Sequence, residues 1–174
     1  GNLWIGTEDA GLNKLNKNTG AITRYTPAPG EPGLSSNNIH GLLIDGNELW
    51  IGTFERGLDV IDITTGKRLR HYDADPATNG LRSNFIITFC ETRAGDILLG
   101  TSRGVYRYQR ASKRFELLSQ IPENSYVFSL IEDRDGTLWA GTIGNGVYYF
   151  DPSTNDTGNL LYDPANTNSL GSNS

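Results

Sequence analysis

Apolar residues along this chain come in short alternating bursts separated by clusters of Gly, Asn, Asp and Thr. No window shows the i, i+3, i+4, i+7 recurrence of an amphipathic helix, so the pattern predicts strands joined by turns. In the clearest stretch it predicts a first strand from Ile39 to Asp45, a second from Glu48 to Thr53, a third from Leu58 to Ile63 and a fourth from Lys67 to Tyr72. Residues that tolerate φ > 0 stand where tight hairpins need them. Asp45-Gly46-Asn47, Arg93-Ala94-Gly95-Asp96 and Arg134-Asp135-Gly136 fall between first and second strands, and Thr19-Gly20 and Thr65-Gly66 between third and fourth.

Sliding the sequence on itself exposes a repeat. Leu3-Trp4-Ile5-Gly6-Thr7, Leu49-Trp50-Ile51-Gly52-Thr53, Ile97-Leu98-Leu99-Gly100-Thr101 and Leu138-Trp139-Ala140-Gly141-Thr142 are one motif written four times, its glycines spaced by 46, 48 and 41 residues. A second motif follows each copy: Gly11-Leu12, Gly57-Leu58, Gly104-Val105 and Gly146-Val147. A period in the forties made of short strands is the signature of a four-stranded blade that buries its face on a neighbour, as in a β-propeller. The Trp is expected to fill the wedge between blades, and the Gly-Thr after it to let the strand end in a tight loop. Trp4, Trp50, Trp139, Gly6, Gly52, Gly100 and Gly141 are thus structural positions.

The links also repeat, Leu34-Ser35-Ser36-Asn37-Asn38-Ile39 matching Leu81-Arg82-Ser83-Asn84-Phe85-Ile86, with Leu170-Gly171-Ser172-Asn173 as a further copy. The resulting division is residues 1–33 as the last three strands of a blade, 34–80, 81–120 and 121–166 as full blades, and 167–174 as a lead into a strand that is missing. The fold class is all-β, four-stranded antiparallel propeller blades in an incomplete arc of a larger propeller. Because no closing strand is found, an open arc of a ring of about seven blades, or two arcs associating through exposed edges, is expected ahead of a closed four-bladed ring.

Composition narrows the setting. At 174 residues the chain can bury a real core, and with 36% hydrophobic residues it has no apolar run near the roughly 20 residues that span a bilayer. A net charge of −5 with scattered signs argues against nucleic acid as a partner. The chain has no Met and no leader at its N-terminus, and is expected to be a piece cut from a longer protein. Cys90 stands alone and reads as a small buried core residue, with no disulfide or cysteine zinc cluster to build.

The Leu-x-Ser-Asn lead, the apolar strand ending in Asp, the Asp-Gly turn, Leu-Trp-Ile-Gly-Thr and the following Gly-Leu together resemble the two-component regulator propeller repeat. The likeness is closest over Leu34 to Leu58 and Ser129 to Val147 and weakest in the third unit, where Leu98 replaces Trp. This resemblance implies a periplasmic sensor ectodomain of a hybrid two-component system that detects glycan fragments and signals to a histidine kinase outside this chain. On that reading the partners are an oligosaccharide, the remaining blades and domains of the parent protein, and other copies met through open edges.

In an up-and-down blade the lead into the first strand and the loop between second and third strands lie on one face of the disc. That places Asn38, His40, Asn84, Phe85, Tyr126 and Phe128 beside Glu8, Asp9, Phe54, Glu55, Arg56, Arg103 and Asn145. Of these, Asn38, His40, Phe54, Arg56, Asn84, Phe85, Arg103, Tyr126 and Asn145 are the ligand-binding candidates, since aromatics beside amides and guanidiniums suit a sugar's apolar faces and hydroxyls. Solvated loop residues are the competing reading. No catalytic residue, metal or cofactor is expected: His40 and His71 have no nucleophile motif beside them, and Asp133-x-Asp135-Gly136 reads as a hairpin turn rather than a calcium loop. Asn155-Asp156-Thr157, a formal glycosylation triplet, reads as a polar turn. The alternatives to ligand sensing are a protein-interaction scaffold and, behind it, a propeller lyase.

Overall fold

A computed structural model describes residues 1–28 and 33–174. The chain forms four antiparallel sheets, each threaded from consecutive strands. The first holds β1 (Asn2–Gly6), β2 (Leu12–Asn16) and β3 (Ile22–Tyr25), and the second β4 (Ile39–Asp45), β5 (Glu48–Thr53), β6 (Leu58–Asp62) and β7 (Arg68–Tyr72). The third holds β8 (Ile86–Glu91), β9 (Ile97–Thr101), β10 (Gly104–Gln109) and β11 (Arg114–Leu117). The fourth holds β12 (Val127–Glu132), β13 (Leu138–Thr142), β14 (Val147–Phe150) and β15 (Thr157–Leu160). The expected strands of the second sheet are present, the third ending at Asp62 and the fourth starting at Arg68, one residue short in each case.

Period-two alternation sends each strand's side chains to two different neighbours. On β5, Leu49 and Ile51 face back onto Leu12, Trp4 and Tyr25 of the first sheet, while Trp50 faces forward onto Ile97, Leu99 and Tyr108 of the third. On β9 the same split puts Leu98 forward, onto Leu138, Ala140 and Phe150 of the fourth sheet. The core is therefore three layers between stacked sheets, arranged as an incomplete propeller. Trp50 is 1% exposed with Tyr108 edge-on at 4.7 Å, whereas Trp139, on the outer side of the last sheet, is only half-buried. Cys90, on the edge strand β8 of the third sheet, is half-buried against the third layer rather than fully buried, and desolvation pushes its thiol pKa up.

The glycine of the repeat has a different task from the one its sequence context suggests. A Cβ on Gly52 would stand 2.5 Å from the Ile86 carbonyl oxygen, and one on Gly6 would stand 2.6 Å from Ile39 Cγ2. Each is a notch into which the first residue of the next inner strand drops. Loop closure falls instead to the following Thr: Thr53 Oγ1 accepts from Arg56 N at 3.2 Å and donates to the Gly57 carbonyl at 2.8 Å. Gly52→Ala should therefore cost about 1–3 kcal/mol through overpacking against backbone that cannot give way, read as a lowered urea midpoint; an unchanged midpoint would show that the notch is not needed.

Candidate functional site

The leads and the second-to-third-strand loops do meet on one face, and backbone hydrogen bonds lock them together. The β5–β6 loop is held twice, Phe54 N donating to Asn38 O of its own lead at 3.1 Å and Gly57 N donating to Asn84 O of the next lead at 2.8 Å. The same double clasp recurs in the third sheet, through Ser102 N to Phe85 O and Gly104 N to Ser125 O, and in the fourth, through Ile143 N to Tyr126 O and Gly146 N to Asn173 O. The loops of the second and third sheets thus bridge two blades, and that of the fourth ties its own lead to the C-terminal segment.

Three candidates come into contact. The His40 ring stacks on Phe54 at 5.4 Å and 25°, and Phe54 meets Phe85 edge-on at 4.7 Å, so residues of two blades form one aromatic strip. His40 is exposed and both phenylalanines are half-buried. A register shift between Ile39 and Gly41 bulges β4 at His40, and equivalent shifts occur at Ile87 and Phe128. Bulges re-aim a side chain, which the sequence pattern does not show. Beside the strip, Asn38 Oδ1 is buried without a hydrogen-bond partner, and Arg56 is exposed on a loop whose Glu55 holds φ at 70°, where the matching fourth-sheet residue is Gly144 at 85°. A non-glycine residue in that region stores about 1 kcal/mol or more of strain and collects at functional sites.

Other candidates are committed elsewhere. Arg103 pairs with Glu123 at 2.7 Å, and Arg82 joins the same carboxylate at 3.1 Å. Asn84 Oδ1 accepts Ala74 N at 2.6 Å, which makes it a brace for the approach to its own blade. Asn145 donates its backbone N–H to Thr142 Oγ1, and Tyr126 is half-buried, desolvation raising its phenol pKa. Phe128 is 58% exposed. Asp133 spends its carboxylate on a hairpin, accepting from Asp135 N, Thr137 N and Trp139 Nε1. Asn155 is a left-handed turn residue at φ 59°. Among the described residues no group of three His, Cys, Asp or Glu is placed to hold a metal ion.

The sequence reading missed a buried ionic node. Asp59, fully buried on β6, accepts from Ser35 N at 2.6 Å, Ser35 Oγ at 2.8 Å and His71 Nδ1 at 2.8 Å, with Arg68 at 3.4 Å. His71 Nε2 reaches Asp73 at 3.1 Å. The node ties the outer strand β7 to the lead that carries Asn38 and His40. Its one sequence signal is an Asp at an inward position of β6 with a His on the neighbouring strand.

A family model described as two component regulator propeller matches residues 33–55 and 120–144. Among solved structures, the chain is similar to the extracellular domain of a hybrid two component system from B. thetaiotaomicron, at 22% identity and a TM-score of 0.59 over 99% of this chain and 28% of that one. It is similar to the computationally designed Ika8 protein, at 17% identity and a TM-score of 0.62 over 98% of this chain and 48% of that one. It is also similar to a catalytically inactive virginiamycin B lyase from Staphylococcus aureus with quinupristin, at 17% identity and a TM-score of 0.64 over 94% of this chain and 53% of that one. This chain therefore spans little more than a quarter of the extracellular domain it matches. No curated protein matches its sequence.

Proposed function

This chain carries two-component regulator propeller repeats, and on that premise we propose that it is a non-catalytic, ligand-sensing segment of a sensor ectodomain on the outer side of the inner membrane, in the periplasm. The parent protein passes the signal to a histidine kinase, and the ligand is a glycan fragment. The observation that carries this reading is the strip of His40, Phe54 and Phe85, which joins residues of two blades. A pyranose ring offers apolar faces to stack on the strip, and the exposed Arg56 guanidinium, on the loop that carries Phe54, is a donor for its hydroxyls. Because Phe54 sits on a loop clasped to two leads, a ligand resting on it bears on two blades at once.

A thermal-shift screen of this chain and of a longer ectodomain against plant, mucin and microbial oligosaccharides tests the reading, since a ligand that binds only the native state raises the midpoint. A glycan that stabilises the chain should lose about tenfold in affinity with Phe54→Ala, the equivalent of about 1.4 kcal/mol for one lost aromatic contact. Absence of any glycan hit on either protein would remove the reading and favour a protein-interaction scaffold.

A further inference from the structure

We propose that Asp59, acting through Ser35, positions the β5–β6 loop that presents Phe54 and Arg56, and that the charge on His71 sets how firmly it does so. That this loop belongs to a binding surface rests on the proposed function. The positioning rests on hydrogen bonds alone and is tested without a ligand, so either can fail while the other stands.

The loop lies on its own lead and is held there at two points. Phe54 N donates to Asn38 O at 3.1 Å, and Ser35 Oγ lies 3.2 Å from Arg56 O. The lead is in turn anchored in the blade by Asp59, whose Oδ2 accepts from Ser35 N at 2.6 Å and lies 2.8 Å from Ser35 Oγ. The one hydroxyl proton of Ser35 is thus shared between the carboxylate and the loop carbonyl. On its other side Asp59 Oδ1 is gripped by His71 Nδ1 at 2.8 Å and by Arg68 at 3.4 Å. A single buried carboxylate therefore connects the outer strand β7 to the loop that carries Phe54 and Arg56.

The other sheets manage without this pair. Register puts Asn13 with Arg24, Tyr106 with Leu117, and Tyr148 with Asn159 where the second sheet has Asp59 with His71. The third and fourth sheets nonetheless keep the same backbone clasps on their loops, so a blade does not need the pair in order to fold. Among the described residues it occurs in the one blade whose second-to-third-strand loop lays an aromatic ring against the next blade.

Protons reach the anchor from solvent, since the His71 side chain is 26% exposed while Asp59 is sealed. The charged groups facing the pair are Arg68, on Asp59, and Asp73, on His71 Nε2 at 3.1 Å. Both nitrogens of the imidazolium donate, Nδ1 to Asp59 and Nε2 to Asp73. A neutral ring keeps one N–H, and it stays with Asp59, because a buried carboxylate left without its donor costs more than returning the exposed Asp73 to water. Raising the pH thus slackens the anchor without severing it: the ion-pair attraction goes and the hydrogen bond remains.

Solvent-exchange NMR on the amides of Phe54, Arg56 and Gly57, expressed as protection relative to the unfolded chain at the same pH, is the test. Ser35→Ala removes the hydroxyl but leaves Asp59 the backbone N–H of that residue, so the blade should fold. Its three loop amides should lose about fivefold in protection, the equivalent of one ordinary hydrogen bond, while amides within β5 and β6 keep theirs. In the native chain the same three should lose about threefold between about pH 6 and about pH 8, as for a partly exposed ion pair, and His71→Gln should abolish that loss. The other titratable groups near the loop, His40 against Phe54 and Glu55, are present in both proteins, so the comparison isolates His71. Unchanged loop protection in Ser35→Ala, a uniform loss through the whole sheet, no pH response in the native chain, or an equal response in His71→Gln would each overturn the proposal.

Discussion

Replacing Trp50 by Ala should lower the stability of this chain by about 3–5 kcal/mol, while the same change at Trp139 should cost no more than about half of that. The two residues hold the same place in the repeat and differ in what lies in front of them. Trp50 is sealed between the second and third sheets by Ile97, Leu99 and Tyr108, so its removal leaves a cavity that two rigid sheets cannot close. Trp139 has water on one side, and its contribution includes a 2.7 Å hydrogen bond from Nε1 to Asp133. Trp50 Nε1, by contrast, is buried with no acceptor. Trp50→Phe should therefore recover most of the loss, since it keeps the ring and removes an unsatisfied donor that costs about 1–3 kcal/mol. Urea denaturation of the three variants reads the order directly, and equal losses at Trp50 and Trp139 would contradict the wedge between sheets.

Asp59→Ala should be as damaging, at about 3–5 kcal/mol, because it strips the acceptor from a buried set of charged and polar groups. Ser35 N–H, Ser35 Oγ, His71 Nδ1 and Arg68 all converge on that carboxylate. The node also gives stability a pH dependence. The hydrogen bond to Asp59 is the main cause of a raised His71 pKa, opposed by desolvation and helped by Asp73. A raised folded-state pKa means that the contribution is complete below the unfolded value of about 6.5 and fades as pH climbs through the folded value. Stability should accordingly fall on moving from mildly acidic to mildly alkaline buffer, and the fall should flatten in His71→Gln. A His71 ring resonance that titrates at or below the position of a free histidine would refute this.

What could be read from the sequence follows from what repeats. Leu-Trp-Ile-Gly-Thr recurs because every blade meets the same steric demand, so the strands of the second sheet were legible to within a residue. The reason for its glycine was not, since Gly52 and Ile86 are far apart in the chain and their contact exists only once blades stack. The face on which the leads and the second-to-third-strand loops meet was legible as a set of loops, because strand alternation dictates which connections share an end. Its chemistry was legible only in part. Arg103 looks as free as Arg56 in the sequence, and Glu123, which occupies it, lies 20 residues away in a lead with no counterpart elsewhere. The bulge that turns His40 onto Phe54 leaves no trace in a period-two pattern. Asp59 was missed because Tyr106 takes its place in the next blade, and comparison of repeats finds only what they share.

Threading every sheet from neighbouring segments decides how the molecule comes apart. Among the described residues no strand of one sheet is borrowed to complete another, so the outermost strands can fray singly and a terminal sheet can detach without unzipping those behind it. Loss should run from both ends toward the middle. The layer around Trp50, Tyr106 and Tyr108, protected on either side by further sheets, is the last refuge: its amides should be the slowest in the chain to exchange with deuterium, and a protease should nibble the first and fourth sheets well before it opens the junction between the second and third.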